Sequence, residues 1–67
     1  MKTKGNSEVV DKSIKRKAEA YNLKGIDLYK QGDYDGAVQC FETALDIWPD
    51  APSARDNLDI AIAARDN

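Results

Sequence analysis

Apolar residues recur at every third or fourth position through most of the chain, which is the spacing of one helix face. No stretch alternates apolar and polar residues with the period of two that marks a half-buried strand. The stripes are Val10, Ile14, Ala18, Tyr21, Gly25 and Leu28; then Ala37, Val38, Phe41, Ala44, Leu45 and Trp48; then Ala54, Leu58, Ala61 and Ile62. The pattern predicts an all-α domain with one stripe on each of three helices.

Turn-forming residues separate the stripes at two places. Gly32 suits the left-handed end of a helix, and the side chain of Asp33 can accept a hydrogen bond from the start of the next one. Pro49 ends a helix, whereas Pro52 is tolerated in a first turn. Ser7 is a plausible cap for the long first helix. The expected helices span about residues 7–31, 34–48 and 52–65.

Several of the spaced residues match a repeat motif of about 34 residues, which places an aromatic residue and a glycine on a first helix, then Ala, Phe and Pro. Its slots are filled by Tyr21, Gly25, Leu28, Ala37, Phe41 and Pro49, with Ala44 as a further small residue. Residues 18–51 therefore resemble one tetratricopeptide repeat, and residues 29–35 are similar to that family's consensus turn. The small residues would let two antiparallel helices approach closely, with Tyr21, Leu28 and Phe41 filling the space around them.

A second repeat does not follow. One period later, Arg55 and Asp59 stand where the motif has its aromatic residue and its glycine. Burying these charges unpaired would be costly, so the last segment resembles the polar helix that ends such arrays. The expected parts are a basic tail (1–6), an extension of the first helix (7–17), the helix–turn–helix unit (18–51) and a capping helix (52–67).

Composition limits the chemistry. The chain has 67 residues, no His, and Cys40 as its single cysteine, so a nucleophile with its base, or a zinc site, is hard to assemble. Asp33, Asp35 and Asp50 lack the spacing of a calcium loop. We therefore expect no enzyme, cofactor or metal. The unpaired cysteine and the lack of an apolar signal or membrane segment favour a cytoplasmic location.

The resemblance implies a binding function. Members of the family bind peptides or proteins in a concave groove that the first helix of each repeat lines, and they are not catalysts. The corresponding groove positions are Asn22, Ile26, Tyr29, Lys30, Asp56, Asn57 and Ile60. Some relatives clamp a C-terminal carboxylate with Lys and Asn where this chain has Asn22 and Ile26, so that ligand is not expected. The alternative is that these positions are ordinary solvated surface.

Two further features of the sequence bear on contact between copies of the chain. Val10, Ile14 and Trp48 are candidates for self-association or a partner contact, although local packing over the Pro49 turn is slightly favoured for Trp48. Residues 1–17 carry six basic and two acidic side chains, whereas residues 18–67 carry four basic and ten acidic ones. This asymmetry permits head-to-tail contact between copies.

The basic turn also defines the competing function. Lys12, Lys15, Arg16 and Lys17 could bind nucleic acid or another anionic surface, but no aromatic or groove-reading pattern accompanies them. The residue pattern therefore favours a protein-interaction module or scaffold, for which a homo-oligomer is one possible state. The alternative is binding of nucleic acid or another anionic surface.

Overall fold

Three helices make up the fold. The structure, a computed structural model, describes residues 11–67, with α1 at Lys12–Lys30, α2 at Tyr34–Ile47 and α3 at Ala54–Asp66. Helices α1 and α3 both pack against α2 and scarcely touch each other. No strand is present in this part of the chain. The prediction of an all-α fold with three helices is confirmed.

Helix α1 begins five residues later than the expected start near residue 7. Asp11 has extended backbone, with φ −62° and ψ 150°, and stands at the cap position immediately before Lys12. Its carbonyl accepts the first backbone bond of the helix, from the Lys15 N–H at 3.0 Å, while its carboxylate accepts from the Ser13 hydroxyl at 3.1 Å and makes no capping bond to the backbone. The suggested cap Ser7 and the partner candidate Val10 lie outside the described residues.

The turn between α1 and α2 has the predicted chemistry. Gly32 has a φ of +88°, the left-handed conformation that glycine adopts without steric cost. Its N–H donates to the carbonyl of Tyr29 at 3.0 Å, and the N–H of Asp33 donates to that of Leu28 at 2.9 Å. These two bonds satisfy the last carbonyls of α1. The Asp33 carboxylate then accepts from the Gly36 N–H at 3.0 Å and caps α2.

Replacing the cap residue should lower stability measurably. We expect Asp33→Ala to reduce the free energy of unfolding by about 1 kcal/mol, because the Gly36 N–H loses its acceptor. Asp33→Asn keeps an acceptor at the same place and should retain most of the stability. Urea denaturation followed by circular dichroism measures both variants. Equal losses in the two would show that charge, and not the capping bond, matters here.

The connection from α2 to α3 is tight. Trp48 has extended backbone after the end of α2, and the Ala51 N–H donates to its carbonyl at 2.9 Å. Helix α3 begins at Ala54, two residues later than expected. Ser53, immediately before it, has a left-handed backbone with a φ of +69°, so Pro52 lies in the turn and not in the first helical turn.

The crossing of α1 and α2 is close because one helix offers a glycine. Gly25 lies against the ring of Phe41, whose side chain is only 2% exposed. A Cβ atom built on Gly25 would stand 2.5 Å from Cε1 of that ring, closer than real carbon atoms approach. Ala37 and Ala44 on α2 are both completely buried. Small residues on both helices therefore make room for the one large ring between them.

The core consists of two clusters. The alanine cluster, near the α2–α3 connection, contains Ala18, Ala44, Ala51 and Ala54, with Leu45, Ile47 and Trp48 packed on it. The Phe41 cluster contains Ala37, Val38, Phe41 and Ala61, with Ile26, Leu28, Tyr29, Leu58 and Ile62 around it. Arg55 and Asp59 are exposed on α3. Helix α3 thus covers α2 with one face and presents a polar face to solvent.

Tyr21 departs from its expected role in the helix crossing. Its side chain is 37% exposed and lines a shallow surface depression with Ala20 and Lys24. In repeat arrays a neighbouring unit covers such an edge. No other helix within residues 11–67 does so, because α2 and α3 lie on other sides of α1. The motif's aromatic slot is therefore a surface position here.

Candidate functional site

A concave surface lies between α1 and α3. Because these helices both rest on α2 and barely meet, a cleft of about 260 Å³ remains between them. We call it the α1/α3 cleft. Its lining residues are Ile26, Tyr29 and Lys30 from α1, Phe41 from α2, and Asn57 and Ile60 from α3. Three separate helices therefore contribute side chains to one concavity.

Helical spacing explains why these side chains converge. Ile26, Tyr29 and Lys30 are three and four residues apart, so they share one side of α1. Asn57 and Ile60 are likewise three apart on α3. Phe41 is almost fully buried beneath them. Sequence reasoning assigned Phe41 to the core and did not identify it as part of the cleft, since only the packing shows that its ring reaches this surface.

Five of the seven predicted groove residues line the cleft directly, and Asp56 does not. Asp56 is exposed, one residue before Asn57 and therefore about 100° round α3. It is not among the residues that line the cleft, although Ile60, one helical turn later, is. A partner contact through Asp56 therefore stays a prediction, at a position beside the cleft and not in its lining.

Asn22, the seventh predicted residue, makes a bond that the sequence analysis did not anticipate. The Asn57 side-chain amide donates from Nδ2 to Oδ1 of Asn22 at 3.0 Å, in a partly buried position. This hydrogen bond joins α1 to α3 at one end of the cleft. Asn57 is 35 residues after Asn22, one more than the repeat period of about 34 residues, so the motif alone would pair Asn22 with Asp56.

The opposite end of the cleft is aromatic and basic. The ring of Tyr29 lies 5.1 Å from that of Tyr34, centroid to centroid, with a tilt of 56° between the planes. Such tilted pairs are favourable aromatic contacts. The contact holds Tyr29 against the first residue of α2, while Lys30 is exposed beside it. The cleft therefore has a cation at one end and a bridged amide pair at the other.

A second depression continues the concave surface beyond the amide pair. It measures about 230 Å³ and is lined by Ala18, Glu19, Asn22, Leu23, Ala51 and Pro52. Leu23 is 65% exposed, the largest exposure among the large apolar side chains of the described residues. We call this the Leu23 depression. Sequence analysis missed Glu19, Leu23 and Pro52 as surface candidates because they fall outside the apolar stripes.

Trp48 packs locally. It is half-buried against the alanine cluster, and Nζ of Lys15 lies 5.3 Å from the centre of its ring. A lysine at this distance is attracted by the ring's electron-rich face. The position of Trp48 agrees with the local-packing alternative, and a partner contact through Trp48 stays a prediction. Ile14, the other candidate of that group within the described residues, is 39% exposed.

The four basic residues near the start of α1 do not form one patch. Lys12 and Arg16 share a side of the helix, Lys15 lies on Trp48, and Lys17 follows the edge that carries Tyr21. A phosphate-binding surface concentrates its cations on one face. This distribution gives no support to the nucleic-acid alternative.

Other chemistry receives little support in this part of the chain. Cys40 is a free, buried thiol. Within residues 11–67 no group of three acidic, Cys or His side chains could hold a metal ion. None of the helices described for these residues combines the length and apolar character needed to cross a membrane.

Comparison with known families matches the fold described above. The sequence profile described as Tetratricopeptide repeat matches residues 18–51, half of the 67-residue chain. This is the range that the spaced motif indicated, so the resemblance is confirmed. Neither a curated protein nor a solved structure matches the chain significantly.

Proposed function

This chain belongs to the tetratricopeptide repeat family, and we propose that it binds a protein partner through the α1/α3 cleft and the adjoining Leu23 depression. Members of the family generally mediate protein–protein interaction and are generally not catalysts. One observation carries the proposal. Apolar, basic and amide side chains from α1 and α3 converge on one cleft, and Phe41 of α2 forms its base.

The size of the cleft favours a side chain over a whole small molecule as its occupant. Pockets for small molecules and cofactors usually measure about 300–1,000 Å³ and enclose most of the ligand. The α1/α3 cleft, at about 260 Å³, is smaller and lies open between two helices. One large apolar side chain of a partner would fit over Phe41, between Ile26 and Ile60. This is the geometry of an anchor residue in a protein interface.

Exposed apolar surface supports the same interpretation. Ile60 is 53% exposed at the rim of the cleft, and Leu23 is 65% exposed in the adjoining depression. A partner that covers both would remove apolar surface from water, which is the main driving force of association. Lys30 beside the cleft would favour an acidic group on the same partner. The Asn22–Asn57 bond keeps the two helices in position before binding.

The proposed place of action is the cytoplasm. Cys40 is buried as a thiol in the packed fold, so the structure needs no oxidising compartment to form a stabilising disulfide. This supports the proposal, and fractionation of cells that express the protein would test it.

Affinity capture with paired variants tests the function. We expect Tyr29→Ala combined with Lys30→Glu to lose at least about tenfold in partner binding, because the cleft loses its ring and its cation. The control is Arg16→Glu, which makes the same charge change as Lys30→Glu near the other end of α1, away from the cleft. The control should capture the same partners as the wild type.

A third variant separates binding from folding. Tyr29 contacts Tyr34, so its loss could also lower stability, which thermal melts would reveal. Ile60→Glu places a charge at an exposed cleft position and should weaken binding without changing the melting temperature. Identical capture by the wild type and both cleft variants would contradict the proposal and place the partner surface elsewhere.

A further inference from the structure

One edge of α1 is apolar, basic and uncovered. Ile14 and Tyr21 are seven residues apart, as are Lys17 and Lys24, so these two pairs run side by side along the helix. Ile14 and Tyr21 are 39% and 37% exposed, and both lysines are exposed. We call these four residues the α1 edge. The depression beside Tyr21 and Lys24 measures about 320 Å³.

The uncovered side of α3 has the opposite charge. Asp56, Asp59 and Ala63 are three and four residues apart, and all three are exposed. The buried residues Ala54 and Ala61 lie on the other side of the helix, against α2. We call the exposed side, which Ile60 borders, the α3 face. It offers two carboxylates, with a small residue where a large partner side chain could approach closely.

We propose that the α1 edge of one molecule binds the α3 face of a second molecule, head to tail. The contact would pair Lys17 and Lys24 with Asp56 and Asp59 and cover Tyr21 against Ala63. It uses two surfaces that do not pack against another helix within residues 11–67. In repeat proteins each unit contacts its neighbours through such faces, and here separate chains would supply them.

Charge excludes the symmetric arrangements. If two copies met through the α1 edge alone, Lys17 and Lys24 would face the same lysines of the partner. Two α3 faces would likewise oppose carboxylates to carboxylates. Like charges across an interface disfavour association, whereas the mixed pairing is complementary. Because a bound pair keeps the α3 face of one molecule and the α1 edge of the other free, the contact repeats and builds open chains of molecules.

The association should be weak and sensitive to salt. One helix edge against one helix face buries less than the roughly 1,000 Å² of a stable interface. We therefore expect a dissociation constant of about 0.1–1 mM that rises with ionic strength, since the charges lie at the surface. Sedimentation velocity of the full chain over a concentration series, at low and high salt, measures it.

Charge-reversal variants give the decisive comparison. Variant A carries Lys17→Glu and Lys24→Glu, and variant B carries Asp56→Lys and Asp59→Lys. Each alone should lose at least about tenfold in association, because its edge and face then have the same sign. A mixture of A and B should assemble again into open chains. The control, Lys12→Glu with Arg16→Glu on another side of α1, has the charge change of A and should associate like the wild type.

The outcomes separate the proposal from its competitors. Recovery of open chains in the A and B mixture, with an unaffected control, supports head-to-tail binding. A mixture that stops at a dimer would show a closed pairing and overturn it. A wild type that stays monomeric at about 1 mM and low salt would overturn it as well, and would leave the α1 edge to an acidic partner of another kind.

Discussion

Gly25→Leu is expected to unfold the domain. A Cβ atom added at this position would stand 2.5 Å, 2.8 Å and 2.9 Å from three atoms of the Phe41 ring. The ring is 2% exposed and packed within the core, so it cannot make room for a leucine without disturbing its neighbours. Forcing extra carbon atoms into a packed core costs about 1–3 kcal/mol or more, and a domain of this size draws only about 3–5 kcal/mol from its core. Circular dichroism should show the loss of cooperative thermal unfolding.

Ala20→Leu provides the control for this variant. Ala20 lies on the same helix and is exposed, so the added carbon atoms meet solvent and the melting temperature should hardly change. Should Gly25→Leu melt like the wild type, Gly25 could not be the point where α1 and α2 cross closely.

Replacing Gly25 with alanine tests the same contact, because the contact should reverse the usual direction of the stability change. At an ordinary helix position Gly→Ala stabilises by about 0.5–1 kcal/mol. We expect Gly25→Ala to destabilise here, because its methyl group meets the Phe41 ring. In a Phe41→Leu background, which removes the ring, the same substitution should become less harmful or even stabilising. A double-mutant cycle measures this coupling.

Phe41→Ala should be nearly as damaging, for the opposite reason. Phe41 is the largest fully buried side chain among the described residues and lies at the centre of one of the two core clusters. Truncating a buried Phe costs about 3–5 kcal/mol, which equals the whole stability expected of so small a domain. We therefore expect a largely unfolded chain at room temperature in urea titrations and in the far-UV spectrum.

Tyr21→Ala is the matched aromatic truncation. Because Tyr21 is 37% exposed, its loss should cost much less than that of Phe41. Comparable losses for the two variants would contradict the assignment of Phe41 as the central core residue and of Tyr21 as a surface residue. A folded Phe41→Ala variant, if one were recovered, should also bind the partner poorly, since the cleft would lose its floor.

Local features were predicted well from the sequence because they depend on residues close together in the chain. The Gly32–Asp33 turn is one example, since a positive φ and a capping carboxylate act within a few residues. The helix starts were less accurate. Asp11 and Ser53 each stop helical backbone where the hydrophobic pattern alone would continue it. The choice among several possible cap residues depends on packing that the pattern does not contain.

The candidate site was predicted in part. Spacing placed Ile26, Tyr29 and Lys30 on one side of α1, and the structure puts them in the cleft. It did not foresee that Asn22 would bond Asn57, or that Asn57 and Ile60 but not Asp56 would line the cleft. These outcomes depend on the rotation of α3 about its axis, which the buried alanines of that helix fix against α2.

By itself the sequence determined the all-α class, the number of helices, the turn chemistry and the family, because periodicity and local backbone preferences specify them. Only the tertiary structure decided which apolar residues are covered. Tyr21 and Trp48 both follow helical stripes, yet Tyr21 lies on an open edge while Trp48 packs beneath Lys15. Burial depends on which neighbours are present in space, and a linear pattern of residues does not specify those neighbours.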